Sequence, residues 1–357
     1  MISPVIVPAP TTWRTVLYGM AAALTLSACT SNGIIVESVN NYGGNGDLAN
    51  SIANGDGFLR GMLLVEDSPW RRLAHFTDGD VWDTDFVDRE IDSRGDDHRY
   101  FDQPGAAISY FTGHGIGTHG CTMTSCTTTA ACTSPASGGG RLPGTCRFSP
   151  FDTPRCCYMV DRALVTKSAN DQFNGFVNYT GGPIRFGESG RAGGWAQAGT
   201  HGGTNLVVLD ISHGVLPPYW RETLAQAFAG VHMIATLMTA GGDTANVSQR
   251  GPMLATRWAQ NDYGSVAQAW LDTMAWLPAN LGQPCGKLGG GRGFNGCGCH
   301  IVVAMDDSPE RTASKISEDW SDLRRDTWDG KGNNWYEARW LCNYTLPSGT
   351  KAAWELP

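Results

Sequence analysis

A chain of 357 residues with 41% hydrophobic content can bury one large core or two small ones. Its formal net charge of −8 and its pI of about 5.4 leave no basic footprint for a nucleic-acid partner.

Taken in chain order, Arg14 precedes the apolar stretch VLYGMAAALTLSA, which predicts a secretory signal peptide over residues 1–28. The run is too short to span a bilayer, and no later segment is long and apolar enough to do so. It ends in Leu26-Ser27-Ala28-Cys29, which resembles the bacterial lipobox. That resemblance implies lipidation at Cys29 and a location on the bacterial cell envelope, with membrane contact through the lipid; an ordinary signal peptide with an incidental cysteine is the alternative. Residues 29–57, rich in Asn, Gly and Ser, read as a flexible tether. A domain over 58–357 follows, with a first strand expected from Leu59 to Val65.

The segment DGDVWDTDFVDREIDSRGDD, from Asp78 to Asp97, bunches aspartates without the spacing of an EF-hand loop. A solvated acidic face is the expectation there. Next comes AAISYFTGHGIG at 106–117, whose first residues read as a strand buried on both faces, ending in glycine, histidine, glycine. Gly115, Gly117 and Gly120 spell GxGxxG, the dinucleotide fingerprint. That motif needs a helix to begin at once, and the Thr-, Ser- and Cys-rich sequence that follows has few helix formers. No acidic residue occurs between Gly115 and Phe151 to hold a ribose, so the nucleotide reading fails and no cofactor is expected.

Residues 116–158 read as a cysteine-rich insertion. Apart from Cys29, ten cysteines fall into two even groups, six from Cys121 to Cys157 and four from Cys285 to Cys342. In an exported chain this favours disulfides within each group. Six cysteines allow fifteen connectivities, and none is assigned. A zinc site including Cys297-Gly298-Cys299-His300 is the rival, weakened by the absence of the usual C-x2-C spacing.

Further on, Asn205 to Asp210 reads as a strand, and Pro217-Pro218 opens a helix with Trp220, Leu224 and Phe228 on one face. VHMIATLMT is strand-like, Ser265 caps a helix carrying Val266, Trp270 and Met274, His300 to Met305 is a strand, and Glu310 to Thr327 is a helix. Strands alternating with helical stripes predict an α/β fold with a mostly parallel sheet flanked by helices.

YFTGHG and LDISHG each end an apolar strand in a polar cluster. YFTGHG resembles the histidine strand of caspase-like peptidases, metacaspases especially, and LDISHG is similar to their nucleophile strand, in the same order along the chain. The resemblance covers about Leu59 to Thr239. The later AFAGVHMIATLMTAGG and AWLDTMAWLP resemble an uncharacterised family of exported bacterial proteins with this fold. The resemblance implies a caspase-like fold, His114 as general base or acid, the N–H of Gly115 in an oxyanion hole, and Asp210 in a pocket for a basic side chain; a strand-end residue capping the turn is the alternative for Asp210. Where the family has a cysteine nucleophile, this chain has Ser212. A serine hydroxyl needs a base within about 3 Å, itself oriented by a third group, whereas a cysteine reacts as thiolate without one. Two functions therefore stand open: a catalytically silent domain binding a peptide or envelope component, which the missing cysteine favours, and a serine-variant peptidase cleaving after basic residues.

Overall fold

The computed structural model describes residues 32–42, 47–89, 91–103, 105–125, 133–135, 141–149, 152–165, 176–178, 184–187, 204–211, 214, 224, 227–237, 247–259, 264–280, 299–319 and 335–342. Residues 1–28, read as a signal peptide, Cys29, Ser212, most of the expected helix after Pro218, and Cys126, Cys132, Cys285 and Cys297 lie outside them.

The centre is a seven-stranded sheet formed by β1 (Gly33–Ser38), β2 (Arg71–Thr77), β3 (Ala106–Thr112), β9 (Leu206–Asp210), β10 (Met233–Leu237), β11 (Cys299–Asp306) and β12 (Trp335–Cys342). Their order across the sheet is β12-β11-β10-β9-β3-β1-β2. The pairs β2–β1, β1–β3, β3–β9 and β9–β10 are parallel, while β10–β11 and β11–β12 are antiparallel. The expected α/β class with a mostly parallel sheet is what forms.

The tether reading fails at residues 33–38 and 51–57. GIIVES is a wholly buried strand, β1, between β2 and β3, where its hydrogen bonds to both outweigh the polar residues around it. The strand expected at Leu59 to Val65 is instead the end of helix α1 (Ser51–Leu63). Its Phe58, Leu59 and Met62 are buried at helical spacing, on one face.

Helices α2 (Val247–Ala259) and α3 (Val266–Asn280) join α1 on one side of the sheet. There Ile34, Val36, Ile108, Tyr110 and Val208 pack with Phe58, Met62, Leu254, Trp258 and Trp270. Ser265 caps α3 as expected, its hydroxyl accepting the Gln268 N–H at 3.1 Å. A short helix α4 (Pro309–Lys315) follows β11; it stops well before Thr327.

The opposite side buries Ile35, Phe111, Val207, Leu209 and Ile234 beneath Val81, Phe86, Phe101, Phe186 and Phe228. Much of this cover comes from the aspartate-rich segment, so the solvated-face reading is corrected. Asp83, Asp85, Asp88, Asp97 and Asp102 are each less than 4% exposed. Several cap tight backbone turns: Asp85 accepts the Trp82 N–H at 2.8 Å, and Asp97 accepts the His98 N–H at 2.9 Å. Asp102 accepts the N–H groups of Gly187 and Thr204 at 2.9 and 2.6 Å, and so sews two distant segments together. Turn chemistry, not solvation, accounts for their bunching.

The cysteine-rich insertion forms a second, antiparallel sheet of β4 (His114–Ser125), β5 (Thr133–Pro135), β6 (Arg141–Ser149), β7 (Asp152–Val165) and β8 (Phe176–Asn178). Its order is β4-β7-β6-β5, and β8 pairs with β7. Among the described residues no helix is long and apolar enough to cross a membrane.

Candidate functional site

The chain runs from β1 outward to β2, then returns past β1 to β3, β9 and β10. The direction of winding therefore reverses between β1 and β3. In open α/β sheets, such a reversal leaves a crevice at the carboxyl ends of the two strands, and ligands bind there. Tyr42 follows β1 and His114 follows β3, so both belong to this crevice.

The backbone N–H of His114 donates to the Tyr42 hydroxyl at 2.8 Å, and the two rings lie 4.5 Å apart at 54°. Burial pushes the Tyr42 phenol well above its usual value. Gly113 allows this approach: a Cβ there would lie 2.5 Å from the Tyr42 hydroxyl oxygen and 2.9 Å from the Phe111 ring. His114 itself is half-buried. Gly115 is buried within β4, opposite Leu164 of β7. The glycines of GHG thus answer to a strand change from one sheet to the other.

Strands β3 and β9 are adjacent, parallel and in register, with Thr112 opposite Asp210. His114 and Ser212 each follow those paired residues by two positions, so the strands that lead to them end at the same edge. Ser212 itself lies outside the described residues. Beyond it, Gly214 is held against the next strand, where a Cβ would fall 1.9 Å from the Thr236 hydroxyl.

Asp210 is 4% exposed, and its carboxylate is committed within the chain. One oxygen takes the Arg250 guanidinium at 2.7 Å; the other accepts the Asn54 amide at 2.7 Å and the Tyr110 hydroxyl at 3.4 Å. Asn54 also donates to the Thr112 hydroxyl at 3.2 Å and accepts the Gly251 N–H at 2.6 Å. A buried carboxylate satisfied by a buried guanidinium and an amide needs no external cation. This speaks against the substrate pocket assigned to Asp210: the group instead ties α1 and α2 to the end of β9. Burial, then the neighbouring Asp210, drives the Tyr110 phenol far above its usual value, which keeps it a neutral donor in this network.

The sequence reading missed Tyr42, Asn54, Tyr110 and Arg250. Tyr42 and Asn54 fall in the stretch read as a tether, and Arg250 lies in a helix obscured by Gly251 and Pro252. His300, part of the rival zinc motif, is 1% exposed in β11, and neither ring nitrogen has a hydrogen-bond partner among the described residues. Among the described residues no group of three or more His, Cys, Asp or Glu could hold a metal ion.

A cavity of about 690 Å³ opens elsewhere, beside the outer strand β2, lined by Phe76, Trp82 and Tyr100 with Asp80, Asp96 and Arg99. Its strand is two places from β3, and its lining is acidic and basic in turn. At the winding reversal, Tyr42 and His114 come together beside the ends of β1 and β3.

The family described as a domain of unknown function (DUF6345) matches residues 36–137, from β1 through His114 into the second sheet. Comparison with the curated proteins returned no match. Comparison with the solved structures returned none either. What this chain is similar to is thus a domain family without an assigned activity, over the part of the fold that holds the winding reversal and His114.

Proposed function

We propose that this chain is an exported, lipid-anchored protein whose caspase-like domain binds an extended peptide at the β3/β9 edge without hydrolysing it. The observation that carries the reading is the pairing of β3 with β9, parallel and in register up to Thr112 and Asp210, beside the crevice where winding reverses. That layout agrees with a histidine strand and a nucleophile strand set side by side. A peptide lying across it would meet the ends of both.

Two features favour binding over cleavage. Serine in place of cysteine removes the nucleophile that tolerates a loosely placed base. The Asp210 carboxylate, neutralised by Arg250, offers no countercharge for a basic side chain. The expected preference for cleavage after Arg or Lys is dropped with it. A fluorophosphonate probe, whose phosphorus an activated serine hydroxyl attacks with loss of its proton and of fluoride to leave a phosphonylated serine, tests the reading on the full-length protein. No labelling above that of Ser212→Ala is expected. Stoichiometric labelling that disappears in a folded Ser212→Ala protein would establish a serine-variant hydrolase instead.

A further inference from the structure

Six of the cysteines are placed by backbone register, and they fall opposite one another. In the second sheet Cys121 of β4 faces Cys157 of β7, and Cys146 of β6 faces Cys156 of β7. In the central sheet Cys299 of β11 faces Cys342 of β12. All three pairings are antiparallel. Residues directly opposite in such ladders have Cα atoms about 4.5–5.5 Å apart, within the roughly 4.4–6.8 Å that a disulfide spans.

The neighbours Cys156 and Cys157 explain why the arrangement is unambiguous. β7 lies between β4 and β6, and successive residues of a strand belong to opposite faces of the sheet. Cys157 therefore shares a face and a register position with Cys121, and Cys156 with Cys146. The crossed pairs, Cys121 with Cys156 and Cys146 with Cys157, would join opposite faces. A link between the two neighbours would demand that an extended strand abandon its backbone conformation.

We infer that the structure assigns three disulfides: Cys121–Cys157, Cys146–Cys156 and Cys299–Cys342. Each forms when two thiols give up two protons and two electrons and one sulfur–sulfur bond is made. The electrons pass by thiol–disulfide exchange to an oxidised dithiol carrier, which is reduced to its dithiol. An exported chain meets such carriers in an oxidising compartment. The first two links join three strands of a sheet whose sequence is rich in Thr, Ser and Gly. The Cys121–Cys157 link also lies on the strand that begins at His114, so oxidation fixes the strand leading out of the candidate crevice. Two cysteines remain in each group, consistent with even pairing inside both.

Peptide mapping of the exported full-length protein tests the assignment. The protein is alkylated without reduction, digested, and the linked peptides are fragmented between Cys156 and Cys157. The expected result is Cys157 joined to Cys121, Cys156 to Cys146, and Cys299 to Cys342. Thiol trapping in variants gives a second readout: Cys157→Ser should expose Cys121, Cys156→Ser should expose Cys146, and Cys299→Ser should expose Cys342. Crossed links, a Cys156–Cys157 link, a bond between the two groups, or four or more free thiols per wild-type chain would overturn the assignment. Should a variant fail to fold, the wild-type fragment ions still decide among these outcomes.

Discussion

Glu37 is the residue whose setting the sequence conceals most completely. It sits on β1 between Phe76 of β2 and Phe111 of β3, fully buried, and neither carboxyl oxygen has a hydrogen-bond partner among the described residues. Burial, and then the nearby Asp85 carboxylate, push its pKa well above the usual carboxylate range. The folded protein therefore holds a proton that the unfolded chain releases above pH of about 4.5, so the contribution to stability falls as pH rises from there towards the folded value. Glu37→Gln should be the more stable protein at neutral pH. Its advantage in chemical denaturation should widen as pH rises above about 4.5, for as long as the folded carboxyl keeps its proton. An advantage independent of pH would contradict this. His300 has the opposite sign. Burial, then the charge of Arg250, lowers its pKa to about 3. The unfolded imidazole takes up a proton below about pH 6.5 while the folded one stays neutral, so stability falls as pH drops from 6.5 towards 3. His300→Leu should shift the acid-unfolding midpoint to lower pH, as followed by far-UV circular dichroism, and an unchanged midpoint would argue against it. Neither effect is legible in the sequence. A glutamate in GIIVES and a histidine in CHIVV look like ordinary strand residues until the strands find their neighbours.

At the scale of elements, the lesson lies in α1. SIANGDGFLRGML carries three glycines, each costing about 1 kcal/mol in a helix, and local propensity argued for loop and strand. Gly57 and Gly61 let α2 approach, while Gly55 lies against Ser38 and Val36 of β1. A Cβ on Gly57 would lie 2.3 Å from the Pro252 ring, and one on Gly61 would lie 2.5 Å from the Ala255 Cβ. Packing of Phe58, Leu59 and Met62 against the sheet then offsets the propensity deficit. Gly57→Ala separates the two effects. Propensity alone predicts a gain of about 1 kcal/mol, while the clash with a rigid proline ring predicts a loss of about 1–3 kcal/mol. Net destabilisation is expected by urea unfolding, and a net gain would mean that the helices separate at little cost. Periodic, apolar elements such as β3, β9, β10 and the Ser265-capped α3 were legible because their burial pattern is local. The helix of residues 247–259 was not, since Gly251 and Pro252 interrupt its pattern: Pro252 lies past the first turn and removes an intrahelical N–H donor, a loss that packing against α1 and the sheet offsets.

For the whole molecule, the sheet order brings distant segments to one edge. The strand ends at Thr112 and Asp210 could be guessed as partners from their two polar terminations, and they pair in register. Tyr42, which meets His114, could not, because it belongs to a polar stretch whose docking depends on the winding reversal between β1 and β3. The fate of Asp210 was equally hidden, since its partners Asn54 and Arg250 come from helices on the far side of both strand motifs. The central claim is that this edge retains a peptide intact. It is tested most directly by incubating the full-length protein with a mixed-sequence peptide library, passing it rapidly through a desalting column, and identifying by mass spectrometry both the retained peptides and any new termini. Intact peptides retained by the wild type and lost with His114→Ala, with no new termini, are the predicted result. New termini generated by the wild type and absent from a folded Ser212→Ala protein, or retention that is unchanged in His114→Ala, would contradict it.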